Sequence, residues 1–255
     1  MNIKILGCSG GKTIERSPTS FIVDDRLLVD AGSVMNKLDT EELLNIEHLI
    51  LTHSHFDHIA DLPFLVLMYF EERKEDFHVF ASDITTEWIF SHVLNGKIWP
   101  DLFEISSQNN GILFWNSFNH REEFKVGDYK VISVPVNHTV PTNGFIIDDG
   151  NDSIAFTGDT FITDEFWKYC NDQENLRALI IDVCLPNNMI DSAEIVLHLT
   201  PNTLSGELEK LEHKDITVFI NHIKPALRDS VIDEIEEIDT SLDLIILEED
   251  MIIDI

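Results

Sequence analysis

Short apolar runs recur from one end of the chain to the other, each bounded by polar or glycine-containing stretches. The runs Ile3–Leu6, Ser20–Val23, Arg26–Val29, His48–Leu51 and Phe77–Ala81 predict strands. Gly111–Phe118, Tyr129–Val136, Gly144–Ile147, Ser153–Phe156, Ala178–Val183, Ile216–Ile220 and Leu244–Leu247 predict further ones. Helical spacing separates them. His58–Arg73 is apolar on more than one face, whereas Ile84–Leu94, Asp164–Tyr169, Pro201–Leu211 and Ser230–Ile238 are amphipathic. Thr200 offers a capping hydroxyl ahead of a first-turn proline, Pro201. The early half is rich in strands and the later part alternates strand and helix. No repeat, low-complexity tract or linker interrupts the pattern, so residues 1–255 are expected to form one domain of two sheets between helical layers.

Composition adds a few limits. A hydrophobic fraction of 44% with 16 Phe suffices for a large core. No stretch approaches the roughly 18 apolar residues of a membrane span, and Met1–Gly7 reads as a first strand rather than a secretory signal. A cytoplasmic protein without a membrane partner is the expectation. Cys8, Cys170 and Cys184 are scattered and outside any C-x-x-C spacing, which points to reduced, buried thiols. Charge changes the functional picture more than the fold. Against 17 Lys and Arg stand 47 Asp and Glu, a net charge of −30. Nucleic-acid affinity is built largely from cations that neutralise phosphates, so no large nucleic acid is expected as a partner.

The chemistry concentrates behind the strand His48–Leu51, in Thr52-His53-Ser54-His55-Phe56-Asp57-His58. Residues two apart on an extended backbone project to one side, so His53 and His55 can grip one ion. Asp57 and His58 follow where the chain turns into the helix and can face a second. Imidazole nitrogen with carboxylate oxygen suits Zn²⁺, Mn²⁺ or Fe²⁺ better than Ca²⁺ or Mg²⁺. A single histidine there would be an ordinary loop residue; three with an aspartate form a ligand cluster. Three more candidates end strands: His138, Asp159 in Thr157-Gly158-Asp159-Thr160, and His222 before Ile223-Lys224-Pro225. Each taken alone reads equally as a turn or capping residue.

His53-Ser54-His55-Phe56-Asp57-His58 resembles the H-x-H-x-D-H signature of the metallo-β-lactamase superfamily, and His138, Gly158-Asp159-Thr160 and His222 occur in that superfamily's order. Within it the chain resembles the class II cyclic-nucleotide phosphodiesterases. That likeness rests on Leu6-Gly7-Cys8-Ser9-Gly10-Gly11, Val29-Asp30-Ala31-Gly32, Ile98-Trp99-Pro100-Asp101, Pro135-Val136-Asn137-His138-Thr139-Val140-Pro141 and His198-Leu199-Thr200-Pro201. The resemblance implies an αββα four-layer sandwich with a dinuclear site at the edge of the sheets. His53, His55 and His138 would hold one divalent ion and Asp57, His58 and His222 the other, with Asp159 bridging; Zn²⁺ is expected, with Mn²⁺ or Fe²⁺ tolerated. A hydroxide between the ions would attack the cyclic phosphate and open cyclic AMP or cyclic GMP to the 5′-monophosphate. Asp57, at the second ion, counts with His198 and Asp182 as a catalytic residue. His198 would protonate the leaving alkoxide, and Asp182 would orient it, where the family pattern carries Glu. Asp30 resembles an outer aspartate that steadies a ligand histidine. A homodimer is expected by likeness.

Some assignments stay open on these residues. Trp99, Phe103 and Trp115 can stack on a purine or simply fill core. Asn137 and Thr139 lie near enough to His138 in sequence to touch phosphate. His48, His78, His92, His120 and His213 have no motif context and read as surface or core residues. The competing function is ribonuclease Z, which shares most of these motifs but carries a projecting basic arm that has no counterpart between His138 and His198. A thioester, lactam or lactone hydrolase and a non-catalytic scaffold protein are the remaining alternatives.

Overall fold

The computed structural model describes residues 1–72, 76–108 and 111–255, so Arg73 lies outside the described residues. The strands are β1 (Asn2–Gly7), β2 (Ser20–Val23), β3 (Leu27–Val29), β4 (His48–Ile50), β5 (Phe77–Ala81), β6 (Leu113–Ser117), β7 (Glu123–Val126), β8 (Tyr129–Val136), β9 (Thr142–Asp148), β10 (Ser153–Phe156), β11 (Leu176–Asp182), β12 (Thr217–Asn221), β13 (Asp243–Ile246) and β14 (Ile252–Asp254). The helices are α1 (Thr40–Asn45), α2 (Phe56–Ile59), α3 (Leu62–Glu72), α4 (Asp83–His92), α5 (Leu102–Ser107), α6 (Glu165–Asn171), α7 (Ile190–Val196), α8 (Pro201–Leu208) and α9 (Arg228–Glu236). The expected strands are all present, with small shifts at their ends; β7, β14, α1, α5 and α7 were not anticipated.

Alternation along the strands builds the layers. Ile3, Ile5, Phe21, Val23, Phe145, Ile147, Phe156 and Ile180 meet between the sheets. Their strand neighbours point outward: Leu6, Ile22 and Leu28 pack with helix residues Leu62, Leu65 and Val66, and Ile146, Ala155 and Leu179 pack with Phe166, Trp167, Leu204 and Val231. Two residues apart means the same face, so one run of apolar residues serves two cores. The αββα sandwich expected from the resemblance is the observed architecture.

Each sheet has seven strands, in the orders β14-β1-β2-β3-β4-β5-β6 and β13-β12-β11-β10-β9-β8-β7. In the first, β3, β4 and β5 run parallel. In the second, β10, β11 and β12 are parallel, and β8 shares their direction because β9 is antiparallel to both β8 and β10. The residues that follow β3, β4, β8, β10, β11 and β12 therefore emerge along one edge of the sandwich. That convergence gathers the site.

The predicted helix over His58–Arg73 is broken into α2 and α3 at Ala60-Asp61. The break has a use. Asp61 N–H donates to Ala31 O (2.8 Å), and its carboxylate accepts from Val34 N and Met35 N (2.7 and 2.9 Å). Ala31 N–H in turn donates to His58 O (2.7 Å). The loop after β3 is thus stitched beneath α2, and Gly32 sits so close that a Cβ would lie 1.9 Å from Asp57 O. Replacement of Gly32 by Ala should push α2 off this loop, costing about 3 kcal/mol through overpacking. In a thermal melt the expected outcome is a Tm lowered by roughly 10 °C for a chain of this size; an unchanged Tm would refute this reading of the contact.

Candidate metal centre

His53, His55, Asp57 and His58 follow β4, His138 follows β8, Asp159 follows β10 and His222 follows β12. Ligand atoms of His53, His55, His138 and Asp159 all lie within 4.8 Å of one another, as do those of Asp57, His58 and His222. One carboxylate oxygen joins the two groups. Asp159 Oδ2 is 3.3 Å from His58 Nε2 and from His222 Nε2, 3.6 Å from His53 Nε2 and 3.9 Å from His138 Nε2. The structure thus brings together all seven residues singled out as ligands.

The imidazoles are aimed from behind. His58 Nδ1–H donates to Asp30 Oδ2 (2.7 Å), so Asp30 stands where the resemblance put it. The Asp30 carboxylate also accepts from Thr52 N and Thr52 Oγ1 (2.8 and 2.7 Å). Thr52 Oγ1, its proton committed to Asp30, accepts from His53 Nδ1–H (2.9 Å). His138 Nδ1–H donates to Leu197 O (3.0 Å), and His222 Nδ1 pairs with Thr19 Oγ1 (3.2 Å). With Nδ1 engaged, each ring presents Nε2 to the centre, the arrangement by which an outer partner fixes the tautomer of a ligand. His55 differs: its Nδ1 approaches His138 Nε2 at 3.1 Å.

The backbone is bent to match. Gly158 adopts φ +62° just before Asp159, a conformation glycine takes without strain. Asp30, Leu197 and His222 are non-glycine residues with positive φ (58°, 53° and 68°). Such conformations are costly and persist where the surroundings over-determine them.

Burial dominates the electrostatics. It pushes His53 well below the usual imidazole range, His138 down to about 4 and His222 down to about 3, so these rings are neutral and their lone pairs free at pH 7. Burial would also lower His58, but Asp159 and Asp30 outweigh it and hold His58 well above its ordinary value. Burial opposes ionisation of Asp159, yet His222 and His58 keep its carboxyl well below the carboxylate range. His53 Nε2 and Asp159 Oδ1 are buried without a hydrogen-bond partner. Unpaired buried polar atoms cost about 1–3 kcal/mol each, and a divalent ion among these nitrogen and oxygen donors would satisfy them. The residues fit the metal.

A further pair stands beside the centre. His198 Nδ1–H donates to Asp182 Oδ2 at 2.7 Å, both residues being buried. The same carboxylate accepts from Thr160 N (3.1 Å), which ties the Asp159 loop to His198. The shorter aspartate arm therefore still reaches. Asp182, Cys184, His198 and His222 also have ligand atoms within 4.8 Å of each other. That group is the weaker candidate, because Asp182 Oδ2 and His198 Nδ1 already pair, leaving only Asp182 Oδ1 unpartnered, and burial raises the Cys184 thiol above its ordinary value. Burial likewise raises Cys170, and it pushes Cys8 up to about 12; all three cysteines are free and buried, Cys8 included despite its place in a Gly/Ser loop.

A cavity of about 330 Å³ opens over the centre, lined among others by His55, Asp57, Thr139, Ile195, Val196 and Lys224. Thr139 faces it, whereas Asn137 is directed elsewhere and donates from Nδ2 to Ile162 O (3.1 Å). Trp99, Phe103 and Trp115 do not line it; they belong to the outer core beside α3 and β6, with Trp99 against Phe64 and Trp115 against Phe90 and Phe103. Sequence reasoning missed Ile195, Val196, Thr19 and the position of Lys224. The rarity of cations, 17 against 47 anions, was the signal that could have marked Lys224.

A family model described as a beta-lactamase superfamily domain matches residues 25–220, and the chain belongs to that superfamily. It is similar to a probable 3′,5′-cyclic-nucleotide phosphodiesterase of Yersinia pestis, with 25% identity over 207 residues that span 72% of this chain and 59% of that protein. It is also similar to ribonuclease Z of Thermococcus kodakarensis, with 25% identity over 124 residues that span 47% of this chain and 36% of that protein. The chain thus matches less than two thirds of the length of either relative. The crystal structure of unliganded yeast PDE1 shares the fold, with a TM-score of 0.83 at 20% identity and 98% of each chain covered. Membership makes this protein a metallo-hydrolase, and the fold implies divalent metal ions. Among the described residues no helix is long and apolar enough to cross a membrane.

An ion bound to the native state alone stabilises it by about 2.7 kcal/mol at a hundredfold excess over its Kd. Removing the metal with a chelator should therefore lower Tm by about 5–10 °C, and readdition of Zn²⁺ or Mn²⁺ should restore it. His58, raised above its ordinary value, must lose its proton to become a ligand, so reloading at pH 7 should release protons, as read by calorimetry in buffers of different ionisation heat. Identical melts with and without chelator would contradict the metal reading.

Proposed function

We propose that this metallo-hydrolase is a phosphodiesterase that opens 3′,5′-cyclic nucleotides to nucleoside 5′-monophosphates, with residues 1–255 acting as one catalytic unit. The observation that carries the reading is the His198–Asp182 pair at 2.7 Å on the wall of a cavity whose floor is the ligand cluster. In this reading His53, His55 and His138 would hold one ion and Asp57, His58 and His222 the other, with the Asp159 carboxylate available to both. The donor set suits Zn²⁺, with Mn²⁺ and Fe²⁺ also compatible. Two bound ions supply a nucleophilic water at neutral pH and neutralise the phosphate's charge.

The chain's own residues do the rest. Among the described lining residues Lys224 carries the one fixed positive charge; its Nζ donates to Gly10 O (2.5 Å), which holds the ammonium near the floor where a non-bridging phosphate oxygen can meet it. His198 Nε2 faces the leaving 3′-oxygen and gives it a proton as the P–O3′ bond breaks. Burial alone would lower His198, but Asp182 outweighs it and raises the imidazole above its ordinary value, so the acid form persists to higher pH than in a free imidazole. Asp57 keeps 30% side-chain exposure and lines the cavity.

The substrate class is supported by the similarity to the Yersinia phosphodiesterase over 72% of this chain. The net charge of −30 argues further for a small anion over a long polyanion. Similarity to ribonuclease Z supports the second reading, tRNA 3′ processing, over a shorter stretch.

Metal-loaded protein should convert cyclic AMP, cyclic GMP or both to 5′-monophosphate, a His55→Ala variant should not, and an unprocessed tRNA should remain intact. Trimming of tRNA without cyclic-nucleotide turnover would transfer the assignment to ribonuclease Z. Replacing His198 by Ala should lower kcat by about 10²–10⁴ at unchanged metal content. Asp182→Asn removes the group that raises His198, so the imidazole loses its proton at lower pH and the alkaline limb of the kcat/KM profile should move to lower pH. A limb that stays in place would remove Asp182 from this role.

A further inference from the structure

Two branched aliphatic side chains face solvent at the mouth of the cavity. Ile195 is 77% exposed and Val196 40%, and both line the cavity. Other large apolar side chains are exposed elsewhere, Ile14 and Ile98 among them, but among the described residues lining this cavity Ile195 and Val196 are the apolar ones. The segment that carries them is anchored beneath and at its C-terminal end. Below it, Ala193 is buried with Cys184 and Leu185. The helix closes at Leu197 in the left-handed conformation (φ 53°, ψ 59°), where Leu197 N–H and His198 N–H both donate to Ala193 O. Leu197 O accepts from His138 Nδ1 and His198 Nδ1 donates to Asp182, so the ends of the segment are tied to the candidate ligand shell and to the candidate acid.

We infer that Ile195 and Val196 form an apolar wall that receives the nucleoside of the substrate and sets the specificity of the site. This rests on the phosphodiesterase reading. The geometry follows from the acid. His198 can protonate only an oxygen within hydrogen-bond reach of Nε2, and the group bearing that oxygen must then lie beside the residues that lead into His198. In a cyclic nucleotide the 3′-oxygen belongs to the ribose, so ribose and base are brought against Ile195 and Val196 while the phosphate stays on the floor with Lys224. A diester whose leaving group is a small polar alcohol would leave the wall wet and gain nothing from it. The wall therefore selects an apolar, ring-bearing leaving group, and inorganic phosphate does not touch it.

The test compares wild type, Ile195→Ser/Val196→Ser and the conservative Ile195→Leu/Val196→Ile, all metal-loaded and matched in metal content. The serine variant should bind nucleoside 5′-monophosphate about tenfold more weakly in calorimetry and show KM for cyclic nucleotide raised about tenfold, within the range for lost contacts in an apolar pocket. Its affinity for inorganic phosphate should stay within about twofold of wild type, and its kcat within about threefold. The conservative variant should behave as wild type. Unchanged nucleotide binding, or equal losses for nucleotide and inorganic phosphate, would overturn the wall. If wild type neither binds nor hydrolyses either cyclic nucleotide, it is the substrate reading that fails. The wall then stands or falls on the same comparison, run with bis(p-nitrophenyl) phosphate against inorganic phosphate.

Discussion

A single buried carboxylate oxygen, Asp159 Oδ2, faces four imidazole nitrogens between 3.3 and 3.9 Å away. Few arrangements are harder to sustain without cations, because burial disfavours both the ionised acid and any protonated ring. Much of the sandwich can be read as the means of holding it. β4, β8, β10 and β12 deliver His53, His138, Asp159 and His222 to one edge, and Gly158 turns the chain where a side chain would be strained. Behind that, Asp30, Thr52, Thr19 and Leu197 O occupy the outer nitrogens so that the inner ones converge. Left-handed conformations at Asp30, Leu197 and His222 occur in the same shell.

The same constraint links the acidic surface to the chemistry. A chain of net charge −30 repels a phosphate ester at long range, so attraction must be local. On the proposed reading, the ligand cluster with bound ions would supply it, together with Lys224, within a cavity of about 330 Å³. Asp182 completes the economy of groups by joining Thr160, in the loop of Asp159, to His198. A shift in the metal floor would thereby be felt at His198, the proposed proton donor.

Much of this was legible from residues in order. The apolar runs mark nearly every strand because the central ones, β2, β3 and β10 among them, bury both faces, and His53 through His58 lie so close in sequence that their cooperation needs no tertiary information. Asp159 and His222 were readable as strand-end residues, though only the resemblance ordered them into two sites. The rest depended on tertiary contacts. β7, with half its residues exposed, and three-residue β14 give weak patterns. The break at Asp61 is hidden in an apolar stretch, and its cause is the loop of Val34 and Met35 far upstream. α7 buries only Ala193, so its helical period carries almost no hydrophobic signal, and Ile195 and Val196 acquire meaning only beside His198. Trp99, Phe103 and Trp115 show the converse, since aromatic residues attractive as a base-stacking surface serve the outer core.

The most direct test of the central claim is an anomalous-scattering map from crystals of the metal-loaded protein. The account predicts two ions per chain, one among His53, His55 and His138 and one among Asp57, His58 and His222, with Asp159 touching both. A single ion, none, or an ion seated instead on Asp182, Cys184 and His198 would contradict it.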